Sequence, residues 1–267
     1  MDDLPSLTRL TRDLREATAT LSDAEARFLV DAYYIIQEDR KRSGNQVRSM
    51  GDEPHRLLTW FFGQNQMLEG QLKAALDRYS DSKPIGQWMK SVYGIGPVIA
   101  AGLIAHIDIK QAPTAGHIWR FAGLDPTSEW KKGEKRPWNA PLKTLCWHIG
   151  QSFMKFSNRD DCFYGKLYKQ RKEYEKTRND RGDNKELALR LSSKFGKATE
   201  AYKHLSAGFL PPAQIDARAR RWAVKLFLSH MQAVWWEMDT GEKPAKPYIL
   251  TRDHGHAHEI LPPNWKN

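Results

Sequence analysis

Three groups of residues in this chain have the types and spacing to do chemistry. In Val92-Tyr93-Gly94-Ile95-Gly96-Pro97-Val98, two glycines and a proline stand where a chain would turn and restart as a helix. Glycine reaches backbone angles closed to other residues, and proline suits the first helical turn, where its missing N–H costs nothing. The N–H groups of Gly94, Ile95, Gly96 and Val98 would then converge at the positive end of a helix dipole, an arrangement that holds a phosphate oxygen. The second group is Trp130-Lys131-Lys132-Gly133-Glu134-Lys135-Arg136-Pro137-Trp138-Asn139, four cations between two tryptophans. Such cations neutralise phosphates, and an exposed indole stacks on an unpaired base for roughly 1–3 kcal/mol. Lys131, Lys132, Lys135, Arg136, Trp138 and Asn139, with Lys90 and Lys143 outside the loop, are therefore candidate nucleic-acid contacts. The competing reading is a solvated loop whose tryptophans fold inward as anchors. The third group is a pair of carboxylates, Asp108 and Asp125, either of which could stabilise developing positive charge or activate a nucleophile beside a base. Capping a helix end or a turn is the alternative role for Asp108.

The elements that must position these groups read as helices throughout, because no run shows strand alternation flanked by hairpin turns. The expected fold is all-α: a helical bundle with an N-terminal antiparallel helix pair and a helix-hairpin-helix core. Ser22 and Glu25 make a capping box for a helix running to about Arg42 and ending at Gly44-Asn45. Asp52 and Pro54 start a second helix. There Phe61, Asn65, Leu68, Leu72, Ala75 and Tyr79 follow spacings of four and three, the seam of a helix hairpin or a short coiled coil. This pair, residues 23–81, is a candidate homodimer contact or the flank of a larger core. Ser80-Asp81-Ser82-Lys83-Pro84 interrupts the pattern. Ile85, Trp88, Met89 and Val92 then recur at helical spacing before the glycines, and Val98, Ala101, Leu103 and Ile104 can pack back onto them.

Further on, residues 117–124 read as a short helix, and 142–156 and 163–178 as amphipathic helices. The second of these carries Lys166, Lys169, Arg171, Lys172, Lys176 and Arg178, with Glu173, Glu175 and Asp180 as internal partners. A final helix over 213–238 puts Arg218, Arg220, Arg221 and Lys225 on one side and Trp222, Leu226, Phe227 and Trp235 on another. The expected division is 1–82, 83–240 and a Pro- and His-rich tail, 241–267, that is a strap or disordered.

Composition narrows the partners. Forty-two Lys and Arg against 32 Asp and Glu give a net charge of +10, a balance that favours polyanions, DNA first and RNA second. No apolar run approaches the roughly 18–20 residues that span a bilayer, and the Met-Asp-Asp start is unlike a secretory signal, so the expectation is a cytoplasmic protein without a membrane partner. Cys146 and Cys162 are too few for a disulfide framework and lack the paired spacing of a zinc site, so they read as core thiols. No P-loop, Rossmann fingerprint or Ser-His-Asp spacing is present, and no cofactor or metal is expected. The one metal-ligating pattern is His254, His256 and His258 with Asp253 or Glu259, against which stands a plain histidine-rich strap. His106, His117 and His148 lie near the hairpin and the basic loop, where each could act on a phosphate or serve as a structural histidine.

The glycine turn between two short apolar helices resembles a helix-hairpin-helix DNA-binding motif. The order of features resembles more. A helix pair, Gly94-Ile95-Gly96-Pro97 with Ala100-Ala101, then Ala122-Gly123-Leu124-Asp125-Pro126, a basic loop, residues 139–143, and Phe163-Tyr164 leading a basic helix are similar to the C-terminal half of bridge-RNA-guided insertion-sequence transposases, including the Piv-like DNA invertases. The likeness covers roughly residues 55–180 and implies a helical DNA-handling domain. Those transposases also carry a RuvC-like nuclease domain with four metal-binding acidic residues, which this chain is too short at its N-terminal end to contain. They use a serine just before the helix that here begins near Pro141, and the matching position is Asn139, whose amide cannot form a covalent link to DNA. Ser128 and Ser152 are the nearest hydroxyls. The resemblance thus implies DNA binding, with strand exchange absent or supplied by another subunit. The hairpin is also similar to that of base-excision DNA glycosylases and of phage enzymes of related fold that modify hypermodified thymine with an amino acid. That likeness would give Asp108 or Asp125 the catalytic role, with the tryptophan loop walling a flipped base.

Overall fold

The computed structural model describes residues 9–51, 54–245 and 259–265, and eleven α-helices run through them without a strand. Tertiary contacts divide the chain into two compact units, Met1–Ser91 with Ile95–Lys110 and Val92–Gly94 with Gln111–Asn267.

The first unit holds α1 (Arg12–Ala17), α2 (Asp23–Ser49), α3 (Arg56–Asp81), α4 (Pro84–Ser91) and α5 (Pro97–His106). The expected capping box opens α2: the Ser22 hydroxyl accepts from the Glu25 N–H, and the Glu25 carboxylate accepts from the Ser22 N–H at 2.8 Å. Helices α2 and α3 pair antiparallel, locked by Glu69, which accepts from Tyr33 at 3.1 Å, from Gln37 at 3.1 Å and from Arg40. Gly44 does not end α2, which runs on to Ser49. The Phe62 ring lies against it, and a Cβ there would come within 2.9 Å of the ring. The glycine that read as a terminator is a packing notch between the two helices.

The seam on α3 is graded along its length. Ala75 and Tyr79 are buried, Asn65, Leu68 and Leu72 are half-buried and Phe61 is exposed. The core of this unit therefore gathers at the Tyr79 end, where α4 and α5 pack. A Cβ on Gly86 would stand 2.0 Å from the Ser80 carbonyl oxygen, so only glycine lets α4 start that close to the end of α3. Helix α5 is apolar on every side and buried from Ala100 through Ala105. Its penultimate carbonyl, that of Ala105, accepts from Arg27 Nη1 at 2.6 Å.

The second unit holds α6 (Ala115–Phe121), α7 (Ala140–Lys155), α8 (Phe163–Asp180), α9 (Lys185–Ser192), α10 (Glu200–Ser206) and α11 (Pro212–Thr240). The long α11 closes its core, packing on α6, α7 and α8; of the expected stripe only Phe227 is buried, while Trp222, Leu226 and Trp235 are half-buried. Phe153 of α7, Tyr164 of α8 and Phe227 of α11 meet with ring centroids 5.0–5.8 Å apart. Asn179 pins the entry to α11, its amide accepting from the Leu210 N–H at 2.8 Å and donating to the Leu210 carbonyl at 3.3 Å. Both cysteines are buried and free, and burial pushes the Cys146 thiol up to about 12.

One buried polar chain joins α8 and α11 to the described end of the tail. His230 Nε2 lies 2.7 Å from the Ile260 carbonyl, so that nitrogen carries the proton, and Nδ1 accepts from the Tyr164 hydroxyl at 2.7 Å. Burial lowers His230 to about 4. An unfolded imidazole gains its proton near pH 6.5, so acid favours the unfolded chain. This contribution is complete above about pH 6.5 and falls by up to about 3 kcal/mol as pH drops toward 4. Urea denaturation of wild type and His230→Asn at about pH 7 and about pH 4.5 checks it: the variant, which cannot titrate there, should lose less stability in acid.

Candidate nucleic-acid interface

The glycine turn has two glycines with different reasons to exist. Gly94 takes φ +100°, the left-handed region, and a Cβ on it would press to 3.2 Å from the Phe153 ring. Its carbonyl accepts from Ser152 Oγ at 2.5 Å, and the Tyr93 carbonyl accepts from Cys162 Sγ at 3.6 Å. Arg159 lies over the Tyr93 ring at 4.6 Å. The Ser152 hydroxyl is thus committed to holding the turn. Gly96, the N-cap of α5, has φ −94° and ψ 175°, which any residue adopts, and a Cβ there would meet nothing within 4 Å. No side chain caps this helix, so its first N–H groups have no side-chain acceptor. The Ile95 and Val98 side chains are buried, which fixes the backbone around them.

The basic loop is closed at its neck. Helix α6 stops in a Schellman motif, with the Leu124 N–H donating to the Trp119 carbonyl at 2.7 Å and the Gly123 N–H to the Arg120 carbonyl at 3.1 Å. Gly123 takes φ +65°, and a Cβ on it would fall 2.7 Å from the Trp138 ring. Next to Trp138, the Asn139 N–H donates to the Phe121 carbonyl at 2.8 Å, and the Asn139 side chain accepts from the Leu142 N–H to cap α7. So the Ala122-Gly123-Leu124-Asp125-Pro126 stretch is a helix stop on which a tryptophan seats, and Asn139 starts the next helix.

Within the loop, Trp138 folds in as an anchor and Trp130 stays 38% exposed, with its indole N–H donating to the Glu134 carbonyl. Lys131, Lys132, Lys135 and Arg136 are all exposed. Arg136 lies over the Trp130 ring at 5.4 Å and Lys143 over the Trp138 ring at 4.0 Å. None of these five cations makes an ion pair with a carboxylate among the described residues. Lys90 differs: its ammonium sits 2.5 Å from both Asp77 and Asp81, and these carboxylates hold its pKa above the ordinary value against the pull of burial. On α8, Lys166, Arg171, Lys172 and Arg178 pair with Asp160, Glu175, Asp216 and Asp183, so that face is largely neutralised.

The two carboxylates singled out from the sequence hold turns. Asp108, exposed, accepts from the Lys110 N–H at 3.0 Å. Asp125 accepts from the Thr127 N–H at 2.9 Å and hydroxyl at 2.8 Å, and these bonds hold its carboxyl below the usual range, helped by the fields of Lys225 and Arg120. Asp108 belongs to the first unit and Asp125 to the second. His117 shares a hydrogen bond with Thr114 at 2.9 Å, and burial and Arg27 lower His106. His254, His256 and His258 lie outside the described residues.

Residues 86–163 match the profile of the Transposase IS116/IS110/IS902 family. The chain therefore carries a transposase-like segment running from α4 to the first residue of α8. It takes in the glycine turn, the Schellman stop, the basic loop and all of α7. No curated protein and no solved structure matches the chain. No helix among the described residues is long and apolar enough to cross a membrane.

The Gly123 seat makes a direct prediction. Gly123→Ala adds left-handed strain of about 1 kcal/mol and a clash with Trp138, and should cost about 2–3 kcal/mol in all. Tryptophan emission should shift to the red as Trp138 is displaced. Unchanged urea stability and emission would show that the loop neck is not held here.

Proposed function

We propose that the chain is a DNA-binding protein of transposase type that grips a sugar-phosphate backbone at the glycine turn. The observation that carries this reading is the N-terminus of α5, uncapped and fronted by a glycine with open space beside it. Because the fold makes no steric demand for glycine at 96, the missing side chain is best explained by what must approach from outside. The N–H groups at Gly96 and Val98 then meet a phosphate oxygen at the positive end of α5, whose Ile95 and Val98 side chains are anchored in the core. Gly94 supplies the left-handed turn that precedes them in the chain. In the second unit, Lys131, Lys132, Lys135, Arg136 and Lys143, without carboxylate partners, are cations that can neutralise phosphates independently of sequence. Lys90, already matched by two carboxylates, contributes no free charge.

The reading gains support from the transposase profile over residues 86–163 and from the net charge of +10. It involves no chemistry at Asp108 or Asp125, whose oxygens accept hydrogen bonds from their own turns. Asn139 acts as a helix cap and binds no substrate covalently.

Gly96→Asp separates binding from folding. Aspartate is a favourable N-cap and the space is open, so the variant should be at least as stable as wild type, while its carboxylate repels phosphate. Fluorescence anisotropy with a duplex of about 20 base pairs should show affinity reduced at least tenfold, and wild-type affinity should fall steeply with salt. A stable Gly96→Asp protein that binds duplex as well as wild type would remove the turn from the mechanism.

A further inference from the structure

A second surface of the Gln111–Asn267 unit, adjoining the basic loop at Lys143, has the makings of a binding site that the glycine turn does not account for. Lys143, Trp147 and Gln151 stand four residues apart on α7 and so share one face. Trp147 is 57% exposed, the largest exposure of any described tryptophan. Its ring stands edge-on to the His148 ring, at 5.1 Å between centroids, and its indole N–H reaches the Gln151 amide. With its amide turned to satisfy both donors, Gln151 accepts from Trp147 Nε1 at 3.3 Å and from Arg220 Nη1 of α11. This bridge sets the indole beside the cationic side of α11, where Arg221 follows Arg220 directly.

The charge there is uncompensated, unlike that of the neighbouring arginines on α11. Arg218 and Arg220 are paired, with Glu175 at 3.2 Å and Asp216 at 2.7 Å. Arg221 and Lys143 make no ion pair among the described residues. Burial first, then the fields of Arg136 and Arg221, holds the Lys143 ammonium below its ordinary pKa, and burial with Arg218 and Arg220 does the same for Arg221. Like charges kept together without a counter-charge are a standing cost to the fold, and an arriving anion relieves it. An exposed indole beside such cations adds what a phosphate alone does not use: a flat π-face for an unpaired base.

We infer that the α7–α11 face binds a single-stranded segment of nucleic acid, with Lys143 and Arg221 on its phosphates and the Trp147 indole stacked on one base. A duplex keeps its bases stacked inside and cannot use Trp147, so the face is selective for unpaired strands. The inference rests on the reading that this chain handles nucleic acid, and adds to it a strand type and a site distinct from the turn.

Anisotropy titrations with labelled oligodeoxythymidine, oligouridine and a DNA duplex, each of about 20 nucleotides or base pairs, test it on the full chain. Trp147→Ala should weaken both single strands about tenfold and leave the duplex unchanged, and Trp147→Phe, which keeps a stacking ring, should recover most of the loss. Lys143→Gln with Arg221→Gln should lower the single-strand salt slope by about 1.4, about 0.7 per phosphate contact. A loss confined to one of the two single strands assigns the face to DNA or to RNA. Single-strand affinity unaffected by Trp147→Ala, an equal loss on duplex, or no recovery with Trp147→Phe overturns the inference. Wild-type protein that binds duplex but neither single strand also overturns it and leaves the reading at Gly96 in place; protein that binds none of the three overturns both.

Discussion

The left-handed turn at Gly94 is the constraint on which the candidate site depends. At φ +100° the chain leaves α4 and restarts three residues later as α5, and the carbonyls of Tyr93 and Gly94 are each held by a side-chain donor, Cys162 and Ser152. Helix α5 is apolar on all sides and buries nearly its whole length, so its polar groups are confined to its ends. The two ends are treated differently. Arg27 donates to a carbonyl at the C-terminal end, whereas no side chain caps the N-terminal end. A buried helix whose N-terminal end no side chain caps is a dipole with an open positive pole, and an anion is the partner such a pole suits.

Charge is distributed by the same logic of pairing and its absence. Lys166, Arg171, Arg178 and Lys172 of α8 answer carboxylates at Asp160, Glu175, Asp183 and Asp216, and Glu175, 2% exposed, lies between Arg171 and Arg218. Those pairs serve the fold, because a buried carboxylate without its guanidinium would be costly. The cations of the loop, with Lys143 and Arg221, have no such duty. Arg136 and Lys143 rest over indole rings instead, an arrangement that keeps the charge while shielding the stem. Net charge alone could not tell these populations apart, since both are lysine and arginine.

Much of the fold could be read before any contact was known. The capping box at Ser22 and Glu25, the antiparallel pair over residues 23–81, the helices on both sides of the glycines and the closing helix α11 all followed from periodicity and end signals, which are local. One error was at a glycine, and the helices α9 and α10 were not foreseen. Gly44 read as a stop because glycine often ends helices, yet the ring of Phe62, distant in sequence, made it a notch in a continuing helix. Gly123, by contrast, was quoted only as part of a family resemblance, and its reason is the Trp138 ring seated on it. In the site, Lys90 read as a phosphate contact from its place beside the turn, while Asp77 and Asp81 on the neighbouring helix claim it. Trp147 passed unnoticed inside an amphipathic helix, though its spacing of four from Lys143 and Gln151 was there to be seen.

The sequence by itself determined that this protein is helical, basic, and broken at Gly94-Ile95-Gly96-Pro97 by a turn that opens a helix, because helix periodicity, proline's fixed φ and glycine's freedom act within a few residues. Only the tertiary structure decided which of the two glycines the fold requires, which cations are already matched, and which tryptophan faces outward. Those outcomes turn on distances between segments far apart in the chain, such as Gly94 to Phe153 and Gln151 to Arg220, and no local rule of the backbone contains them.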